Sequence, residues 1–159
     1  MRDIDDELTL REMADRFRIQ DLLYREARAI DTRDWELWRS CYTEDADIDW
    51  RENGAIRDSR DAAGAWLAKV CENFPVPAYQ HFVTNIEMHI DGDTAATRQL
   101  QLIPISLQSP GGGRQIAFSG IWFEDNLVRE GRDWKIAKRV ERLAWRHNFP
   151  DRYETPQGA

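Results

Sequence analysis

The sequence predicts an α+β fold in which three N-terminal helices pack on one face of a curved antiparallel sheet. Two observations carry this. In the first half, apolar residues recur at the 3.6-residue spacing of amphipathic helices. From Gln80 onward they alternate with period two between glycine-rich turns, as in antiparallel hairpins. A third observation sets the scale. The 159 residues are 42% apolar and 32% charged, which suits one globular domain with its own core. No repeat, low-complexity tract or linker divides residues 1–159. Helices followed by a run of strands give a helix layer on a sheet layer.

Thr9-Leu10-Arg11-Glu12 has the capping-box pattern and starts the first helix. Met13, Phe17, Ile19, Leu22, Leu23, Ala27 and Ile30 form its inward stripe, and it runs to about residue 31. Thr32 or Asp34 caps a second helix over 35–42. Residues 46–50 read as a strand, and Glu52-Asn53-Gly54 as a tight turn. Ser59 caps a third helix to about residue 73, with Ala63, Trp66, Leu67 and Val70 inward, before Pro75 and Pro77. Phe82, Thr84, Ile86, Met88 and Ile90 then alternate with His81, Val83, Asn85, Glu87 and His89 in a strand. Asp91-Gly92-Asp93 leads into a strand over 94–107, where Pro104 implies a bulge or an edge. Pro110-Gly111-Gly112-Gly113 turns again. Strands over 115–129 and 133–146 flank Glu130-Gly131-Arg132, and a tail begins at about residue 147.

Composition narrows the function classes. No run approaches the ~18 apolar residues that cross a bilayer, and the acidic start is not that of a signal peptide. Cys41 and Cys71 match no metal or redox spacing, so a reduced, cytoplasmic protein is expected. The formal charge of −7, without a basic stripe, argues against nucleic acid or an anionic membrane as partner. His81, His89 and His147 have no metal-ligand spacing, so no metal is expected. The glycines at 111–113 lie between two strands, which makes a hairpin turn and not a phosphate loop; no cofactor is expected. Seven tryptophans fit a core of large residues or a pocket for a flat apolar ligand.

Candidate site residues come from local chemistry. Gln20, Tyr24, Ala27 and Asp31 share one helix face. Asp31 stands at the C-terminal end, where the macrodipole disfavours a carboxylate, so it needs a partner. An aspartate beside a histidine fixes one imidazole tautomer and stabilises the imidazolium. His81, at the start of a strand, is either such a base or a plain hydrogen-bonded histidine. Tyr24 can donate to a substrate oxygen. Asn85, four residues after His81, shares its face unless a bulge intervenes. Trp50, Tyr79, Trp122 and Phe123 are candidate pocket walls or plain core.

Several ordered motifs carry a resemblance. They are Arg18-Ile19-Gln20-Asp21-Leu22-Leu23, Asp31-Thr32-Arg33-Asp34-Trp35, Tyr42-Thr43-Glu44-Asp45-Ala46, Gln80-His81-Phe82 with Asn85, and Leu127-Val128-Arg129 leading to Trp134-Lys135-Ile136. Together they resemble the SnoaL-like family of the NTF2-like superfamily over nearly the whole chain. The resemblance implies an NTF2-like cone, a strongly curved, antiparallel (mixed) sheet enclosing an apolar pocket closed by three helices. Its lindane dehydrochlorinase member places a catalytic aspartate on Asp31 and a catalytic histidine on His81. An active-site arginine falls on Arg139, through Trp134 and Lys135 to Lys138-Arg139, and an active-site lysine on Glu26, a reversal of charge. Scytalone dehydratase again gives Asp31 and His81, but its two tyrosines fall on Ile30 and Trp50. Bile-acid dehydratase belongs to the same group.

The resemblance implies a cofactor-independent lyase acting on a small hydrophobic, aromatic molecule. His81 is its base, Asp31 orients the base, and Arg139 or Tyr24 stabilises the developing charge. Dehydration and retro-aldol carbon–carbon cleavage both suit that set. A proton-transfer isomerase, a polyketide-cyclase-like enzyme, and a non-catalytic ligand-binding or dioxygenase small-subunit-like module stay open beside them. The long last strands offer more sheet surface than three helices cover, so a homodimer or homotrimer is expected.

Overall fold

Thr9 starts the first helix by the reciprocal capping that its sequence encodes. Its hydroxyl accepts from the Glu12 N–H at 3.2 Å, and the Glu12 carboxylate accepts from the Thr9 N–H at 3.0 Å. This helix, α1 (Leu10–Thr32), ends on Arg33 in the left-handed region at φ 57°. The computed structural model describes residues 9–72, 79–109 and 111–149. Pro75, Pro77, Pro110 and residues 150–159 of the tail expected from about residue 147 lie outside them, while His147 still belongs to the last strand. Asp34, not Thr32, caps α2 (Trp35–Ser40), accepting from the Leu37 N–H at 2.9 Å. The chain continues through β1 (Tyr42–Asp49), a 3₁₀ turn (Arg51–Asn53), β2 (Arg57–Ser59) and α3 (Arg60–Glu72). Four long strands follow: β3 (Phe82–Asp91), β4 (Thr94–Gln108), β5 (Arg114–Glu130) and β6 (Asp133–His147).

The strands form one open sheet in the order β2-β1-β6-β5-β4-β3. All neighbours are antiparallel except β1 and β6, which run parallel, so the sheet is mixed. The helices cover its inner face. Ile19, Leu22, Leu23 and Ala29 of α1 meet Trp38, Ile48, Leu127 and Ile136 in the central core. Gly64 lets α3 approach α2, since a Cβ there would stand 2.8 Å from the Trp38 ring.

Three local expectations are corrected. Met13 and Phe17 are exposed, Phe17 at 71%. The buried stripe of α1 instead steps through Asp15, Ile19, Leu22, Glu26 and Ala29, so two charged residues hold inward positions. β1 begins at Tyr42 because its parallel pairing to β6 already starts at Tyr42 and Ile136. Pro104 meets the edge alternative and not the bulge: β4 pairs with β5 without a break from Thr94↔Val128 to Gln108↔Arg114, and β3 pairs with β4 only up to Leu102. It sits where β3 has not yet begun, with its carbonyl accepting from the Gln80 N–H, so a missing donor is harmless there. The bulge lies instead in β3, between Thr84 and Glu87, with Asn85 at φ 49°. His81 and Val83 point inward before it and Ile86, Met88 and Ile90 after it.

Candidate active site

The end of α1 and the start of β3 bring Asp31 and His81 together. Asp31 Oδ1 lies 2.6 Å from His81 Nδ1. The same carboxylate accepts from the His81 backbone N–H, at 3.1 Å to Oδ2 and 3.2 Å to Oδ1. A carboxylate that the helix dipole disfavours is thus met by two donors from another element. Nδ1 carries the proton in this arrangement, which leaves Nε2 as the ring nitrogen with a free lone pair. Tyr79 fixes the ring from the side, edge-on at 5.7 Å between centroids. Its hydroxyl donates to Ile30 O at 3.2 Å and lies 3.0 Å from Cys71 Sγ.

His81 borders a cavity of about 170 Å³ between the inner face of the sheet and the helices. Most of its wall is apolar: Ile30 from α1, Trp66, Leu67 and Val70 from α3, and Ile103, Ile105, Ile121 and Phe123 from the sheet. Trp50 and Tyr79 also line it. A cavity of about 150 Å³ takes a benzene ring, so this one suits a molecule built on a single ring.

Beneath the apolar wall lies a buried ionic network. Arg139 reaches Asp125 with two N–H groups, at 2.7 and 2.9 Å, and its Nη1 stands 2.7 Å from Glu26 Oε2. Nη1 also donates to the Tyr42 hydroxyl at 3.2 Å. Tyr42 in turn donates to Glu26 Oε1 at 2.8 Å, and Trp38 Nε1 donates to the same oxygen at 3.0 Å. Burial pushes the Asp125 carboxyl above its usual range, against the pull of Arg139. Burial works against the Arg139 charge, but Asp125 and Glu26 outweigh it and hold the guanidinium firmly protonated. The Phe123 ring lies 4.7 Å below that cation. Glu26 and Arg139 both line the cavity and form an ion pair there.

The structure places three expected site residues elsewhere. Tyr24 lies on the outer face of α1, 45% exposed and hydrogen-bonded to Gln20. It follows Leu23 by a turn of 100° that takes it off the buried stripe. Asn85 is exposed because the β3 bulge turns it outward. Trp122 alternates with the inward Phe123 and stacks outside the sheet under Arg98, 3.7 Å from its centroid. Sequence reasoning missed Gln101, Ser119 and Glu141, all of which line the cavity, and Asp125 behind it. The available signal was the strand period. Gln101 is two residues before Ile103, Ser119 two before Ile121, and Glu141 two after Arg139.

A family model described as the SnoaL-like domain matches residues 11–140. An uncharacterised protein of Mycobacterium tuberculosis is 37% identical over 134 residues, 84% of this chain and 88% of that one. Among solved structures, a provisionally named scytalone dehydratase from Novosphingobium aromaticivorans superposes with a TM-score of 0.77 at 18% identity, over 94% of this chain and 97% of that one. A hexachlorocyclohexane dehydrochlorinase from Novosphingobium barchaimii superposes with a TM-score of 0.71 at 20% identity, over 92% and 98%. At such identities the two structures speak for a shared fold.

Proposed function

The chain belongs to the SnoaL-like domain family, and on that premise we propose that it is a cofactor-independent lyase acting on a small hydrophobic, aromatic molecule. One observation carries this reading: the 2.6 Å contact between Asp31 Oδ1 and His81 Nδ1 at the edge of an apolar cavity. In this mechanism Asp31 holds the Nδ1–H tautomer, and Nε2 takes a proton from a carbon or a hydroxyl of the bound molecule. Asp31 then stabilises the imidazolium, as a carboxylate does in other catalytic groups built on histidine.

Loss of water follows if the proton comes from the carbon next to a departing hydroxyl. Carbon–carbon cleavage follows if it comes from an alcohol: the alkoxide closes to the carbonyl of the departing small aldehyde, and the electrons of the broken bond pass to the carbon beside a ketone as an enolate, which the imidazolium reprotonates. Arg139 assists either course less than its charge suggests, because four of its five N–H groups already face Asp125, Glu26 and Tyr42. Only the remaining N–H is left to donate to a developing oxyanion, since Glu26 and Asp125 offset the charge. The chloride-eliminating chemistry named for one structural neighbour is disfavoured here, where Glu26 takes the place of that group's lysine.

The test is a screen of one-ring aromatic alcohols and ketones with product masses measured by chromatography and mass spectrometry. Loss of one water identifies dehydration, loss of formaldehyde identifies carbon–carbon cleavage, and an unchanged mass with a new retention time identifies isomerisation. A product formed at equal rates by the wild type and His81→Ala would sink the reading. A protein that purifies with a larger, iron-bearing chain would instead be a structural subunit.

A further inference from the structure

The cavity has a second polar wall that the His81–Asp31 pair does not use. Glu141 of β6 lines it and is 7% exposed. Its carboxyl takes a hydrogen bond from Asn53, in the turn after β1, while its Oε1 makes none among the described residues. Two further lining residues carry buried donors in the same condition, Trp50 Nε1 and Gln101 Nε2. Nearly all buried polar atoms in folded proteins find a partner. Three residues in the wall of one cavity that each carry such an atom point to a bound molecule as the partner.

The chemistry of that partner follows from the atoms. Trp50 Nε1 and Gln101 Nε2 only donate. Glu141 feels Arg139 and Arg146 from its own strand and Glu52 from the adjacent turn, and His81 and Glu26 line the same cavity. Burial pushes its carboxyl up to about 8, against the Asn53 hydrogen bond and the two arginines, so it carries a proton at neutral pH. An anion would find no free cation here, because Arg139 is held by Glu26 and Asp125.

We infer that Glu141, Gln101 and Trp50 form a donor wall for an uncharged oxygen of the substrate, a ketone carbonyl or an alcohol, with Glu141 donating as a carboxylic acid. The inference rests on reading the cavity as the substrate site, and it narrows the substrate to neutral oxygenated aromatics, excluding carboxylates.

Binding of three one-ring probes, followed by titration calorimetry, tests this without turnover. Acetophenone offers a carbonyl acceptor, α-methylstyrene has the same shape with CH₂ in place of the oxygen, and benzoate is anionic. Acetophenone should bind about tenfold more tightly than α-methylstyrene, with benzoate weakest. That preference should fade as the pH rises through about 8 and Glu141 ionises. Glu141→Gln keeps an uncharged donor, so it should keep the preference and lose its pH dependence; Glu141→Leu should lose the preference. Equal binding of acetophenone and α-methylstyrene by the wild type, or tighter binding of benzoate, overturns the inference while leaving the cavity a binding site. A preference that ignores pH, or survives in Glu141→Leu, also overturns it. Binding of none of the three overturns the reading of the cavity as a substrate site.

Discussion

His81 and Asp31 act through one proton, and that dictates how their variants should behave. With a substrate from the screen, His81→Ala should lower turnover by roughly 10²–10⁴-fold, the usual contribution of a positioned base. Asp31→Asn should also be severe, because an amide can present its N–H to Nδ1 and hold the wrong tautomer. The double variant should be little worse than the worse single, since the pair works as a unit. Multiplying losses would show that the two residues act independently. Glu141 makes a separate prediction about stability. Its carboxyl is raised from an ordinary 4.5 to about 8, so the folded state holds this proton more tightly than the unfolded chain. The stabilisation is complete below the ordinary value and is lost as the pH rises through about 8, at about 1.4 kcal/mol per unit. Urea unfolding of Glu141→Gln across this range should show its advantage over the wild type growing with pH and then levelling. A constant difference would contradict a buried, protonated acid.

At the scale of elements, α1 is tied to the sheet by charge as well as by its apolar stripe. Arg129 of β5 holds Asp15 with two bonds of 2.7 Å, and Trp134 Nε1 donates to the same carboxylate at 3.3 Å. The Arg129 hydrogen bonds lead in holding the Asp15 carboxyl down at about 2. Its contribution is present above the ordinary value of 3.8 and is lost as the pH falls toward 2, about 2 kcal/mol in all. Arg129→Ala would leave Asp15 buried without its main partner, and should cost about 3–5 kcal/mol in denaturant unfolding at neutral pH. A cost below about 1 kcal/mol would mean that Asp15 reaches water. The β3 bulge gives a second test at this scale. Asn85 at φ 49° occupies a region that β-branched residues avoid, so Asn85→Val should cost about 1–2 kcal/mol while Asn85→Gly is near neutral. Since the bulge aims His81 and Val83 inward, the valine variant should also weaken activity.

At the scale of the whole molecule, no helix among the described residues covers the outer face of the sheet. Phe82, Ile116 and Trp145 are all exposed there, at 48%, 47% and 45%. Phe118 and Trp122 belong to the same outward set on β5, alternating with the inward Ser119 and Phe123. An apolar sheet face of this kind is commonly covered by a second subunit. We expect a homodimer or homotrimer that buries it, and sedimentation equilibrium at micromolar concentration should show this, with Phe118→Asp shifting the distribution toward monomer. A wild-type monomer under those conditions would remove the expectation.

The sequence by itself determined the order of the helices and the long strands, the start of α1 and the turns, because each depends on residues a few positions apart; it left out the short β2, which forms by pairing with β1. Thr9 with Glu12, Asp34, Gly92 and Gly131 mark boundaries through local hydrogen bonds and backbone freedom alone. It also singled out Asp31, through a carboxylate at the wrong end of a helix dipole, and the family resemblance added its partner His81. What it left undecided depended on which way side chains face. Apolar periodicity passes over the inward Asp15 and Glu26, the second of which only the resemblance pointed to, although both sit on the stripe of Ile19 and Leu22. Counting by two from His81 assigned Asn85 to the pocket, but one extra residue in β3 reversed the count. The same limit hid the wall of Gln101 and Glu141. The two lie on strands separated by β5, and only the folded sheet with its helices turns both toward one buried space, where desolvation changes what a carboxyl can do.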